Sequence, residues 1–353
     1  MKQSSRIIYN ICVIYCVLLL PVAGETTQPA KGPARCVVPD GLATTRPDPQ
    51  GVPTKVMVNF VVLDIKQIHT SDQTFTVDFG VRLRWKDPRL VNTLVGSSLA
   101  SCQLQITQVW SPKTLVYNAA SLSKGFQMVN IGLDGMVSHI TRYFGPLSVP
   151  LDVRDFPFDS QVLPITIMSF HSPEEVLLIL DEETTTQSER FSIAGWSIGP
   201  AVGREGSLWF GRTSDQNTFS RVDYEFIARR ATRYHVWKEI LPLILIVCMS
   251  WAVFWIDPTH LGVQVAISST SMLTLIAFLF ALGANLPQVS YLTRMDHFVF
   301  GSLLLVFLAF CESLMTCTLA EHGHKVLARR ADLLARWLFP TVFVGLIVLS
   351  FWL

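Results

Sequence analysis

The sequence predicts a chain of two unlike halves, an extracellular β-sandwich followed by a four-helix transmembrane bundle. Three observations predict it: period-two alternation over residues 56–231, four apolar stretches within residues 232–353, and a composition too apolar for water. Half of the 353 residues are hydrophobic and 16% are charged, with a mean hydropathy of +0.39, whereas soluble domains carry about 25% charged residues. The 28 Lys and Arg balance 27 Asp and Glu for a net charge of +1, so there is no broad basic field and no nucleic-acid partner is expected. With 22 Phe and 9 Trp, the chain has far more surface to bury than a disordered one.

At the N-terminus, Lys2 and Arg6 precede an uncharged run from Ile7 to Leu20, and Val22-Ala23-Gly24 offers small residues for cleavage. Residues 1–24 therefore read as a signal peptide, with a signal anchor as the alternative. Residues 25–55, rich in Pro, Gly and Thr, read as a lead-in. The sandwich follows over 56–231, where short alternating runs are separated by turn formers. Its plainest strand is Phe75 to Trp85, with apolar residues at every odd position and polar or charged residues, or Gly80, between them.

From residue 232 the composition turns membrane-like, with spans expected at about 236–256, 263–284, 297–320 and 332–353. Each is long enough, at 1.5 Å per residue, to cross about 30 Å of hydrocarbon. With the sandwich exported, the loop 321–331 is cytoplasmic, where Lys325, Arg329 and Arg330 follow the positive-inside tendency. The C-terminus is then extracellular. Of the seven Cys, Cys36 and Cys102 are the two left in the exported half, where a disulfide between them is permitted but not required. No spacing suits a metal, and His322-Gly323-His324 reads as a solvated turn. No cofactor is expected.

The second span carries Ala266, Thr270, Leu273, Ala277, Phe280 and Ala284 on one helical face, with Ser268, Ser269, Ser271 and Thr274 adding hydroxyls. Copies of this face around an axis would wet a pore, with Leu273 and Phe280 as constrictions. A buried helix, whose small residues allow close approach, is the alternative.

Several motifs carry a family resemblance. Phe156-Pro157-Phe158-Asp159-Ser160-Gln161 resembles the F-P-F-D-x-Q heart of the signature loop of pentameric ligand-gated ion channels, the Cys-loop receptor superfamily. Trp85-Lys86-Asp87-Pro88-Arg89-Leu90, Trp110-Ser111-Pro112-Lys113, Asn285-Leu286-Pro287-Gln288-Val289-Ser290-Tyr291 and Trp337-Leu338-Phe339-Pro340-Thr341 resemble further family segments in the family's order. One departure is plain: the two half-cystine positions of the signature loop fall at Val149 and Leu163. The chain is similar to animal members without that disulfide, Alpo-type annelid receptors being the narrower likeness.

The resemblance implies a homo- or hetero-pentamer in membrane lipid, with a small-molecule ligand bound between exported domains and inorganic ions passing through a central pore. It places Tyr117, Phe170 and Phe219 at the aromatic positions of three ligand-binding loops, with packing inside the sandwich as the alternative for the two Phe. Aromatic faces attract cationic amines. On the opposite side of the ligand it places Gly80, Arg82 and Arg142, of which the two Arg could meet a carboxylate.

Gating is implied where Phe156, Pro157 and Asp159 meet Arg230, the turn His69 to Asp72, and the segment holding Pro287. A surface salt bridge is the alternative reading of Arg230 with Asp159. Glu312 in the third span is expected to pair with Arg336. Gly262, Val263 and Gln264 occupy the selectivity region at the cytoplasmic mouth, where neither the family's Glu nor its Pro-Ala-Arg stands. Ion charge and agonist do not follow from the sequence. A non-conducting receptor is the rival function; an enzyme or transporter lacks any nucleophile motif, metal spacing or phosphate-binding Gly loop.

Overall fold

The computed structural model describes residues 38, 41–48, 50–91, 101–210, 217–257, 260–283 and 289–352. Of the sequence-derived sites, Cys36, Ala284 and Pro287 lie outside them. Cys102 is described only as backbone within a strand.

Twelve strands come first: β1 Thr54–His69, β2 Thr74–Lys86, β3 Ser101–Leu104, β4 Thr114–Val116, β5 Ser123–Gly132, β6 Met136–Ser148, β7 Ser160–Ser169, β8 Val176–Leu180, β9 Thr186–Gln187, β10 Trp196–Ile198, β11 Val202–Phe210 and β12 Asn217–Arg230. They form a seven-stranded sheet ordered β3-β5-β6-β2-β1-β8, with β9 also on β1, and a five-stranded sheet ordered β10-β12-β7-β4, with β11 on β12. The alternation in β2 explains how the two sheets find each other. Phe75, Val77, Phe79, Val81, Leu83 and Trp85 all turn into one core, and Phe60 of β1 stacks on Tyr224 of β12 across it at 5.2 Å. Val149 and Leu163 are both buried in that core. Apolar packing thus occupies the places of the family's two half-cystines.

Four helices follow: α1 Arg233–Trp255, α2 Leu261–Gly283, α3 Arg294–Glu321 and α4 Lys325–Phe351. All four are long and apolar enough to cross a membrane. After its first residues, Arg233–His235, α1 contains a π-helical turn at Val236–Ile240. α3 starts before the expected residue 297 because Thr293 caps it, exchanging hydrogen bonds with Asp296 three residues on.

The connection between α3 and α4 is shorter than the expected 321–331. It is the turn His322 to His324, with Gly323 at φ +86°, and α4 already begins at Lys325. Charge marks where a helix leaves lipid, not where it ends, and Leu327-Ala328-Arg329-Arg330 are good helix formers.

Candidate functional site

Three places in the molecule hold the sequence-derived residues. The first is the face bearing the loop aromatics. Tyr117 follows β4, Phe170 follows β7 and Phe219 lies on β12; Tyr117 and Phe170 are exposed and Phe219 is half-buried. Backbone hydrogen bonds hold the loops together, from Tyr117 to the Thr166 carbonyl at 2.8 Å and from Phe170 to the Lys113 carbonyl at 3.2 Å.

What joins Tyr117 to Phe219 is Phe210, which the sequence reading missed. Its ring lies 6.1 Å from that of Tyr117 and 5.8 Å, edge to face, from that of Phe219. No ring pair links Phe170 to these three among the described residues. The signal for Phe210 was its place at the end of β11, just before residues 211–216. The pairing of Phe210 with Asn217 across β11 and β12 then brings it near Phe219.

Beside Tyr117 opens a cavity of about 720 Å³, whose polar wall includes Asn118, Thr166 and Arg221. Asn118 is locked by donating to the Pro164 carbonyl and accepting from the Thr166 amide. The Thr166 hydroxyl donates to Asp223 at 2.7 Å, and Arg221 pairs with the same carboxylate at 3.1 Å.

On the seven-stranded sheet the expectation for Arg142 needs correction. Its guanidinium fork already holds a carboxylate of its own chain, donating from Nε to Asp78 Oδ1 at 2.9 Å and from Nη2 to Oδ2 at 2.7 Å. β2 and β6 are paired so that Gly80 faces Arg142, which leaves Asp78 diagonally within reach on the same face. These hydrogen bonds hold the Asp78 carboxyl below its usual range. Arg82 is half-buried, and its Nε has no hydrogen-bond partner among the described residues.

The second place is the junction of sandwich and helices. Arg230 donates from Nε to Asp159 Oδ1 at 2.7 Å and from Nη2 to Oδ2 at 3.1 Å. The pair is buried, with side-chain exposures of 10% and 1%, so it is not a surface salt bridge. The guanidinium also lies over the rings of Trp196, at 4.2 Å, and Phe156, at 4.9 Å. Gln161 donates to Asp159 and to the Asp152 carbonyl, both at 2.6 Å. A charge pair so enclosed is costly to break on one side only.

The same loop meets the helical half of the chain at several points. Phe156, which follows Val153 and precedes Pro157, meets the His235 ring at the head of α1 at 4.9 Å. The Val153 amide donates to the Tyr291 hydroxyl at 3.0 Å, Arg294 at the start of α3 donates to Asp155 at 2.7 Å, and Phe158 meets Phe351 at the end of α4 at 5.6 Å. Motion of this loop is therefore mechanically tied to α1, α3 and α4.

The third place is α2. Ala266, Thr270, Leu273, Ala277 and Phe280 are all exposed, Leu273 at 69% and Phe280 at 80%. Ser268, Ser271, Leu275 and Leu282 are buried on the other side, where Ser268 meets Ser313 of α3 at 3.3 Å. Gln264 departs from the expectation of a mouth-lining residue. It is 1% exposed, donates to the Ile256 carbonyl at 2.9 Å and accepts from the Cys317 thiol at 2.8 Å. Helical spacing puts it on the face with Ser268 and Ser271, leaving Gly262 and Val263 exposed at that end.

Glu312 does not pair with Arg336. Arg336 donates to the Phe254 carbonyl at 2.9 Å and lies over the Trp255 ring, while Glu312 lies beside Asp332. Asp332 stands one turn before Arg336 on α4 and occupies the place across from Glu312.

Comparison with known proteins covers both halves of the chain. Residues 43–232 match the family model described as neurotransmitter-gated ion-channel ligand binding domain, and residues 239–325 match that described as neurotransmitter-gated ion-channel transmembrane region. The gamma-aminobutyric acid receptor subunit rho-3 of Homo sapiens is 28% identical over 284 residues, 78% of this chain and 60% of the relative. The proton-gated ion channel of Gloeobacter violaceus is 26% identical over 305 residues, 85% of this chain and 83% of the relative. The glycine receptor subunit beta of Rattus norvegicus is 25% identical over 299 residues, 81% of this chain and 59% of the relative. The chain thus spans about three-fifths of the length of the two receptor subunits.

Proposed function

Because the chain belongs to the family of neurotransmitter-gated ion channels, we propose that it is a subunit of a pentameric channel in the plasma membrane, opened by a small extracellular ligand. The observation that carries this reading is the two-sidedness of α2. One side is packed on its own subunit, while the other exposes neutral small and hydroxylated residues together with Leu273 and Phe280. Five such faces around an axis give a wettable pore with two apolar rings that close by dewetting. The axis is completed by further copies of this chain or by related subunits.

The ligand sits against Tyr117, Phe210 and Phe219 of one subunit, with Phe170 at the rim and Arg82 reaching from its neighbour. Ring faces would hold a cationic group, and the half-buried Arg82 would take an acceptor on the other side of the ligand. Binding there is read out through the Asp159 to Arg230 pair and Phe156, which lie between β7, β12 and the head of α1. Pro287 belongs to the receiving segment. Gly262 and Val263 line the cytoplasmic mouth, and the C-terminus is extracellular.

The test is a resting-current recording of Leu273→Thr in a low-background cell, exchanging chloride and sodium separately. A hydroxyl ring in place of the apolar one is expected to raise spontaneous current, with a reversal potential that follows one of the two ions. An unchanged resting current from pentamers shown to be at the surface would overturn Leu273 as a gate.

A further inference from the structure

The cytoplasmic third of the helical half buries two acids against each other. Glu312 lies nine residues before the end of α3 and Asp332 seven residues after the start of α4, about 13 Å and about 10 Å from those helix ends. Asp332 is 2% exposed, and its carboxyl stands within hydrogen-bonding reach of that of Glu312. Both Glu312 oxygens are enclosed and have no hydrogen-bond donor among the described residues. Because one subunit already encloses them, a neighbouring subunit can add none.

The surrounding side chains do not make up for that donor. Cys317 and Glu321 stand along α3, Arg336 on α4 and Asp257 just after α1, while α2 brings the neutral Ser268 and Gln264 to this region. Arg336 gives its Nε to the Phe254 carbonyl and lies over the Trp255 ring. The Thr316 hydroxyl reaches both Asp332 and the Ser313 carbonyl, with a single proton to give. Two carboxylates in contact repel, and away from water the cost of charging both exceeds that of keeping one proton. A carboxyl that keeps its proton supplies the donor that its partner lacks.

We propose that Glu312 and Asp332 share one proton, and that its release to the cytoplasm loosens α4 from α3. On release the O–H bond breaks, its electron pair stays on the carboxylate, and the proton passes to water at the nearby cytoplasmic ends of the helices. Two like charges then face each other across α3 and α4. α4 carries the effect to its other end, where Phe351 meets Phe158 of the signature loop and the Phe351 carbonyl accepts from Arg294 at 3.2 Å. A rise in cytoplasmic pH thus acts on the loop that couples the two halves, from the side of the membrane opposite the ligand. That last consequence rests on the channel reading; the shared proton does not.

Infrared spectra of the purified, assembled protein in lipid test it. The carbonyl band of a protonated carboxyl, shifting in deuterated water, is expected to persist at about pH 7.5, where ordinary carboxyls are ionised, and to fade as the pH is raised further. It should be lost in Glu312→Gln, whose amide supplies the donor without a proton to release. In Asp332→Asn the band should move or vanish, which keeps the assignment testable if Glu312→Gln does not fold. Amide exchange of residues 325–332, compared at each pH between the native protein and whichever variant folds, is expected to match at low pH and to become faster in the native protein once the band has faded. Absence of the band at about pH 7.5, a band unaltered by both substitutions, or exchange that matches at every pH would overturn the proposal. Neither readout needs a current, so each of those results would leave the channel reading standing.

Discussion

α2 and α4 are equally uncovered, each with 22% of its most apolar window buried against 39% in α1 and α3, yet they bare different chemistry. α4 exposes Leu334, Trp337, Leu338, Val344 and Leu349, which suits hydrocarbon. α2 exposes Ala266, Ser269, Thr270, Thr274 and Ala277 alongside Leu273 and Phe280. Exposure alone therefore does not tell lipid from water; the residue types on the exposed face do. Ser269 and Thr274 on α2, like Thr341 on α4, return their hydroxyls to the backbone of their own helix, so what separates the two faces is the run of small and hydroxylated residues on α2 against the large apolar ones on α4.

The sharpest way to break this contrast is to put the same charge on both faces. Leu338→Lys, midway along α4, should cost about 3 kcal/mol of insertion and abolish surface expression, while Thr270→Lys on α2 should reach the surface. Equal loss of both in a surface-labelling assay would mean that the α2 face is not wet.

A smaller effect separates the two sides of α2. Gln264→Leu leaves the Ile256 carbonyl and the Cys317 thiol without their partner, and should lower stability by about 1–3 kcal/mol. Ser269→Ala on the exposed side should change the unfolding temperature of solubilised protein little. If both variants melt alike, the inward turn of Gln264 does not contribute to holding α2 against α1 and α3.

The smallest effect lies in the sandwich and sharpens the comparison between its closed core and the open bundle. His139 on β6 is half-buried, with Nδ1 unpartnered among the described residues; burial, and then the nearby Lys124, pushes its imidazole down. The unfolded state then binds the proton more readily. The contribution of His139 to stability is present above about pH 6.5, the unfolded value, and is lost as pH falls below it. Melting curves from pH 7.5 to 5 should fall more steeply for the native protein than for His139→Gln. Asp78, held low by Arg142, acts in a separate window: its contribution persists above about pH 4 and is lost only in stronger acid.

Much of the architecture was legible because it rests on periodicity. The alternation in Phe75 to Trp85 selects one buried face whatever its partners are, and an apolar run of twenty residues needs lipid whatever its neighbours are. The exposed face of α2 was legible for the same reason. The details that failed to read out depend on neighbours brought close from elsewhere in the chain. Phe210 meets Tyr117 only because β11 pairs with β12 and β4 with β7. Arg142 is neutralised because β6 lies beside β2, and Arg336 turns to Phe254 because Asp332 already stands across from Glu312.

The amino-acid order by itself determined that this chain has a β half and a four-helix apolar half, and which residues of each strand and helix share a face. Those properties are local, set by the period of a strand or helix and by the cost of exposing apolar surface to water. Only the tertiary structure decided which charges are free and which are already paired, which aromatic completes the cluster at Tyr117, and that Gln264 faces inward. The physical reason is that a charge or a ring acquires its role from whatever lies within a few ångströms, and strand pairing and helix packing choose those neighbours.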